Sequence, residues 1–257
     1  MIFIKTLEEI KIMREGGRIL AEILSKLASS VKPGIATLEL EQLARELVSF
    51  YKVKPAFLGF ESYPAVLCIS INEEVVHSLP SERKITEGDL VSIDMGIIFN
   101  GFNLDSAVTV VALDSQNHKE WASLHPRENN LLNTTKEALN LGMSKIKAGR
   151  KTGEISNAIE QLVNANGFFV VKELTGHGIG RSLHEEPQIP NFGSKNSGVE
   201  MKEGMVLAIE PIVSMGDWRI TKSNDDFAYV TRDGSRSAHF EHTVAVTEGG
   251  PLVLTKK

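Results

Sequence analysis

The sequence has a single cysteine, Cys68, so no internal disulfide can form, which is consistent with a reducing compartment. It also lacks a long apolar run, which argues against a membrane span even though 42% of its 257 residues are hydrophobic. The start, Met1-Ile-Phe-Ile-Lys-Thr-Leu-Glu-Glu9, carries charge too early for a secretory signal. Nor is there a basic excess: the net charge of −5 gives no general electrostatic footprint for nucleic acid, and no direct nucleic-acid role is expected. What remains is a chain long enough to bury a large core in one domain of two halves, as in a compact cytoplasmic enzyme.

Four carboxylates and one histidine stand out against that background: Asp94, Asp105, His177, Glu210 and Glu241. The first two follow from spacing. Val91-Ser-Ile-Asp-Met-Gly-Ile-Ile-Phe99 and Phe102-Asn-Leu-Asp-Ser-Ala-Val-Thr-Val110 flank Asn100-Gly101, the dipeptide best suited to a two-residue turn with positive φ at both positions. With that turn, Phe99 pairs with Phe102, Gly96 falls opposite Asp105 and Met95 opposite Ser106. Asp94 then shares the face of Asp105 as its diagonal neighbour, within reach of a common ion. A slip of one residue would separate them. A solvated hairpin face is the plainer reading, but Ile93, Met95, Ile97 and Ile98 leave little of the first strand to water.

Glu210 closes the run Met205-Val-Leu-Ala-Ile209 and precedes Pro211, which biases it to extended backbone. Such a run reads as a strand buried on both faces, where an unpaired carboxylate is costly. Glu241 lies in Ala238-His-Phe-Glu-His-Thr-Val-Ala-Val246, again strand-like in its β-branched and aromatic content. Two unit charges about 4 Å apart repel by roughly 4 kcal/mol at an effective dielectric near 20. Two divalent cations would balance four carboxylates in formal charge. Oxygen-rich ligation with one imidazole and no nearby thiolate suits Mn, Fe, Co or Zn.

Thr175-Gly-His-Gly-Ile-Gly-Arg-Ser-Leu-His-Glu-Glu-Pro187 supplies His177 and His184 among glycines, a spacing unlike a zincin helix. Gly176, Gly178 and Gly180 weaken any helix and let backbone approach a ligand or another strand closely. At this point the chain resembles the type I methionine aminopeptidases, the bacterial form of the pita-bread metallopeptidase family. The resemblance runs from Ile4-Lys-Thr to Val246-Thr. It is carried by Cys68-Ile-Ser-Ile-Asn-Glu-Glu-Val-Val-His77, the hairpin aspartates, the 176–187 loop, Ile209-Glu-Pro211 and Phe240-Glu-His-Thr243, in the family's order.

The resemblance implies an α+β pita-bread fold: two pseudo-symmetric halves, roughly 1–125 and 126–257, in a single catalytic domain with a curved, mainly antiparallel sheet covered by helices. It implies that Asp94 holds one metal, that Asp105 and Glu241 bridge two, and that His177 and Glu210 complete the other. It also implies His77 and His184 as substrate-facing histidines, and Phe57, Phe60, Tyr63, Cys68, Leu183 and Phe227 as walls of a pocket for an amino-terminal methionine. Such a lining suits an unbranched, polarisable thioether. The reaction implied is metal-assisted hydrolysis of the first peptide bond, with Glu210 as proton acceptor and His77 and His184 as donors to the substrate. The partners implied are amino-terminal methionine of peptides and nascent chains, with a ribosome contact as a hypothesis; a monomer is expected.

Several positions depart from the family pattern. Gly101-Phe-Asn-Leu104 stands where a histidine-glycine pair is usual, so Leu104 is expected as a bulkier neighbour of the metals. Glu61, in Gly59-Phe-Glu-Ser-Tyr-Pro64, adds a carboxylate near the mouth. Counting from Glu210 and Glu241 puts Phe227 where the family offers a tryptophan, and Trp218 falls too early for that role.

An internal repeat accompanies these motifs. Val31-Lys-Pro-Gly-Ile-Ala-Thr-Leu-Glu-Leu40 and Ile146-Lys-Ala-Gly-Arg-Lys-Thr-Gly-Glu-Ile155 match in Lys, Gly, Thr and Glu, and in each copy the threonine is expected to cap a helix. Thr6-Leu-Glu-Glu9 has capping-box spacing and opens a helix to about Ser29, with Ile10, Met13, Leu20 and Ile23 as its core stripe. The passage from Asp114 to Pro126 reads as loop, with His118 and His125 in solvent. His239 and His242, flanking Glu241, are expected to support the site from outside the metal shell or to be structural. A proline-directed peptidase of the same fold and a non-enzymatic peptide- or protein-binding member remain as other readings, the second weakened because no ligand is missing.

Overall fold

The structure is a computed structural model that describes residues 1–114, 118–223 and 225–257. Helix α1 (Leu7–Ser30) begins at the expected capping box: Thr6 accepts from the Glu9 N–H, and the Glu9 carboxylate accepts from the Thr6 N–H. Its stripe of Ile10, Met13, Leu20 and Ile23 is buried. Helix α2 (Thr37–Tyr51) follows. Then come β1 (Lys54–Pro55), β2 (Cys68–Ile71), β3 (Glu74–Val76) and the long hairpin β4 (Leu90–Phe99) and β5 (Phe102–Val111). The order of helices and then strands recurs with α3 (His118–Leu124), α4 (Pro126–Ser144), α5 (Gly153–Ala165), β6 (Phe169–Val170), β7 (Thr175–Gly178) and β8 (Glu185–Pro190). The chain ends with β9 (Val206–Ile209), β10 (Ile212–Ser214), β11 (Ile220–Lys222), β12 (Tyr229–Thr231), β13 (Ser237–His239), β14 (His242–Thr247) and β15 (Gly250–Val253).

Every strand pair among the described residues is antiparallel. β4 is the spine of the first sheet, with β5 on one side and β2 and β1 on the other; β15-β14-β9-β7-β8 form the second, and two three-stranded sheets, β13-β10-β6 and β11-β12-β3, link them. One apolar cluster packs α1 and α2 on β4 and β5, and another packs α3, α4 and α5 on β9 and β14. Gly16 lets α1 cross the hairpin closely, because a Cβ there would lie 2.7 Å from Phe99 Cβ and 3.0 Å from Leu104 Cδ2.

Glu210 and Glu241 do not lie inside strands. β9 stops at Ile209 and β10 starts at Ile212, while β13 stops at His239 and β14 starts at His242. The pairing changes at the same level on both strands: Ile209 pairs with His242 in one sheet, and Ile212 with His239 in the next. Both glutamates therefore sit where two chain segments pass together from one sheet to another. A break of that kind frees the side chain from strict strand alternation.

Three further expectations change. Thr37 and Thr152 do not cap their helices: Ala36 is the N-cap of α2, and Thr152, at the start of α5, makes no capping bond. Thr37 Oγ1 instead donates to Ser81 O at 3.0 Å and accepts from Ser81 N at 2.8 Å, while Thr152 Oγ1 accepts from Val199 N at 3.2 Å. Each hydroxyl fastens a helix start to a neighbouring loop, beside the isolated bridges Ala36–Lys84 and Lys151–Glu200. The polar passage before α4 contains helix α3 because Trp121 is buried against the second core and gives it an anchor. His125 stacks on Trp121 at 5.2 Å and is half-buried, while His118 is exposed. Ser115–Asn117 lie outside the described residues.

Leu104 is the third. Neighbouring strand residues face opposite ways, so with Asp105 turned inward Leu104 is fully buried against α1 instead of standing beside the cluster. Leu104→Ala is expected to lower the unfolding free energy by about 2–5 kcal/mol through cavity formation, read from urea denaturation.

Candidate metal centre

The hairpin has the register that Asn100-Gly101 dictates: Phe99 pairs with Phe102, Met95 with Ser106 and Gly96 with Asp105. Asn100 and Gly101 both take positive φ. Asp94 and Asp105 are consequently diagonal neighbours on one buried face. Gly96 is needed opposite Asp105, since a Cβ there would lie 2.7 Å from the Phe57 ring.

Asp105 is also stitched to the strand that follows Glu241. Thr243 Oγ1 accepts from Asp105 N at 3.0 Å and donates to Asp105 O at 2.8 Å. The Glu241 backbone exchanges hydrogen bonds with Ala107, and Ser106 Oγ donates to Glu241 O at 2.7 Å. Asp105, His177 and Glu241 each offer a ligand atom within 4.8 Å of the others. Glu210 Oε1 lies 3.6 Å from His177 Nε2. With Asp94, all five line one cavity of about 260 Å³.

The electrostatics are those of a dry, crowded site. Burial, then Asp105 and Glu210, hold the Asp94 carboxyl well above its ordinary range. Burial raises Asp105 from 3.8 to about 7. Glu210 is raised by burial and then by Asp105, and Glu241 by burial and then by Asp105, Glu210 and Asp94. His177 is pushed the other way, to about 4, chiefly by burial and then by His184. Its Nδ1–H donates to Gly178 O at 2.8 Å, which leaves the Nε2 lone pair facing Glu210.

The remaining sequence-predicted residues gather around this cluster. His184 lies 4.4 Å from His177 and 5.0 Å from Phe60, centroid to centroid, and His77, at a φ of 59°, stands 5.9 Å from Tyr229. Burial is the main cause lowering both histidines, with His184 adding to the effect at His77 and Glu61 opposing it at each. Phe57, Phe60, Tyr63, Cys68, Leu183 and Phe227 line the cavity, with Glu61 at its edge. Tyr63 turns its hydroxyl away to Leu67 O and Ser78 O, so its ring face borders the space. Trp218 lines a separate depression with Lys172 stacked 5.4 Å over its ring.

His239, expected beside Glu241 as a supporting or structural histidine, does reach the cluster, whereas Glu41 escaped the sequence reasoning. His239 is buried 3.9 Å from Glu210 Oε2, and neither ring nitrogen has a hydrogen-bond partner. Burial, then His77, lowers it to about 3, so it is neutral. Its place two residues before Glu241 is what marked it in the sequence. Glu41 accepts the Val66 and Leu67 N–H groups at 3.0 Å and so fixes the approach to Cys68; nothing in its polar helical surroundings announced that.

The model of metallopeptidase family M24 matches residues 11–248. The chain belongs to that family. It is 42% identical over 255 residues to a methionine aminopeptidase of Clostridium perfringens, covering 99% of both chains. The solved methionine aminopeptidase of Thermotoga maritima superposes with a TM-score of 0.93 at 42% identity over all of both chains. A prolidase from Pyrococcus furiosus gives 0.76 at 25% identity, over 99% of this chain and 65% of that one. The fold is the pita-bread α+β fold of these peptidases.

The donor set fits the divalent cation that a metallopeptidase uses. Asp94 Oδ1, Asp105 Oδ1 and Glu241 Oε1 are buried without a hydrogen-bond partner among the described residues, a costly condition for carboxylate oxygens. No helix among the described residues is long and apolar enough to cross a membrane.

Stripped of metal, the protein should lose stability as pH rises. Asp105 has a folded value of about 7 against 3.8 ordinarily, so its contribution is complete below its ordinary value and is lost as pH climbs through its folded one. Between about pH 5 and pH 8 the melting temperature of chelator-treated protein is expected to fall, and restoring a divalent cation to widen its advantage with pH. Calorimetry with and without metal checks this; a gap independent of pH refutes it.

Proposed function

We propose that this chain removes the amino-terminal methionine from peptides and nascent proteins by metal-assisted hydrolysis. The observation that carries the reading is the join between two unlike surfaces: an aromatic, sulfur-tolerant wall runs directly into a cluster of buried carboxylates and a histidine. The relatives named methionine aminopeptidase support the same reading.

In this reading Asp94, Asp105, His177, Glu210 and Glu241 would together hold two divalent ions (Mn, Fe, Co or Zn). Bound there, the ions supply Lewis acidity toward the scissile carbonyl and make a water more acidic. Glu210, whose basicity is raised by its burial, accepts the proton of the attacking water. His184 and His77 are lowered and hence neutral near pH 7, each with one N–H to donate to the substrate carbonyl oxygen or the leaving nitrogen. Phe57, Phe60, Tyr63, Cys68, Leu183 and Phe227 receive the methionine side chain and exclude water from it. Asp94 with Asp105, from the 1–125 half, would meet Glu210 with Glu241, from the 126–257 half, in the central cleft. The reading extends to a cytoplasmic monomer acting on chains emerging from the ribosome, which co-sedimentation with translating ribosomes tests.

Methionine release from Met-Ala-Ser is expected only with a divalent ion restored, and Ala-Pro is expected to be a poor substrate. Glu210→Gln should lower kcat by about 10²–10⁴-fold, with bound metal quantified so that ligand and base roles separate. His184→Gln should cost about 10²–10³-fold in kcat at unchanged metal content. Cleavage of Ala-Pro in preference to Met-Ala-Ser overturns the reading in favour of a proline-directed peptidase. Absence of hydrolysis with all four metals favours a binding protein.

A further inference from the structure

A buried ion pair stands apart from the carboxylate cluster. Lys5 Nζ lies 2.5 Å from Glu185 Oε2, with side-chain exposures of 4% and 2%. Lys5 is fixed on both sides. Its N–H donates to Gly204 O at 2.8 Å, and its side chain runs so close over Gly180 that a Cβ there would overlap Lys5 Cε. The other oxygen of the carboxylate, Glu185 Oε1, accepts the Ser182 N–H at 3.2 Å. That bond closes the turn from Ser182 to Glu185, whose two central residues, Leu183 and His184, line the cleft.

The same loop is gripped from the hairpin. Asn103 N donates to Gly180 O at 2.7 Å, and Asn103 Nδ2 to Gly180 O and Arg181 O at 3.0 and 3.2 Å. Arg181 also pairs with Glu9. Of these contacts, only Glu185 reaches the far side of His184. Without Lys5 its carboxylate would be an uncompensated buried charge, which turns toward water and so weakens its hold on Ser182.

We propose that Lys5 and Glu185 are positioning residues for His184: the pair locks the turn that aims the imidazole at the scissile amide. The inference rests on the reading of His184 as a donor to the substrate. It makes the amino-terminal segment, which contributes no ligand, part of the machinery that sets the turnover rate. Lys5 acts through Glu185 and the turn, and touches no reacting atom.

The test uses the metal-restored full chain, comparing wild type, Lys5→Met and the double variant Lys5→Met/Glu185→Leu. An apolar pair of similar volume removes the unpaired charge and is expected to keep the fold stable. Both variants are expected to lose about 10–100-fold in kcat on Met-Ala-Ser, the scale of a displacement near 1 Å, with KM within about twofold and bound metal unchanged. The double variant should melt near wild type and still lack the lost kcat, and hydrogen exchange at the Ser182 amide should quicken in both. Recovery of kcat together with stability in the double variant, or unchanged kcat and Ser182 exchange in either, overturns the proposal. If wild type releases no methionine, the functional reading fails, while Ser182 exchange still reports whether the pair locks the turn.

Discussion

The mutual repulsion of four buried carboxylates is the constraint around which this fold is built. Each pair about 4 Å apart costs roughly 4 kcal/mol at an effective dielectric near 20, and burial removes the water that would screen them. A loose scaffold would relieve the strain by letting the side chains turn outward. Here that route is blocked, because Asp94 and Asp105 belong to the interior of a hairpin of two ten-residue strands covered by α1, and Glu241 is tied to the hairpin through Ala107 and Ser106. Thr243 closes the arrangement by bonding both the N–H and the C=O of Asp105. The charges are thus held against their own repulsion by backbone bonds, and a cation or protons must supply the missing compensation.

Two kinds of backbone carry the cluster. Strand alternation and a turn that tolerates one register decide where Asp94 and Asp105 point. Glu210 and Glu241 instead occupy breaks, where their segments leave one sheet for the next, and His177 stands at a register shift between β7 and β8. The hairpin gives precision and the breaks give convergence: side chains from several sheets can face one point only where regular alternation is interrupted.

That division also explains what could be read from the sequence. The hairpin register was legible because Asn100-Gly101 fixes the turn and period two fixes the face. The capping box of α1 was legible because both of its bonds span three residues. Leu104 was misjudged because adjacency along a strand means opposite faces, and the threonines of the repeat because a hydroxyl at a helix start can serve a distant loop as well as its own helix. Trp121 turned a polar passage into a helix through burial that no local pattern announces. Lys5 and Glu185 lie 180 residues apart, so a pairing between them has no local signature at all.

The wall beside the cluster follows different physics from the cluster itself. Tyr63 and Cys68 keep their polar atoms buried, and burial, the largest influence on each, pushes both groups upward so that they stay neutral. The space between Phe57, Phe60 and Phe227 is consequently bordered by rings and sulfur without charge, although Asp94 pairs in register with Cys68 on the next strand. Field and apolar surface meet across one strand pair. Much of the wall comes from the loop between β1 and β2, where Gly59, Glu61 and Ser62 all take positive φ, whereas both aspartates come from the long hairpin. Residues in sparsely populated backbone regions persist only when their surroundings hold them, so substitutions in that loop can reshape the apolar space without disturbing the donors. On the proposed reading, the chemistry is set by the sheet and the choice of side chain by the loop. The two properties can therefore vary independently.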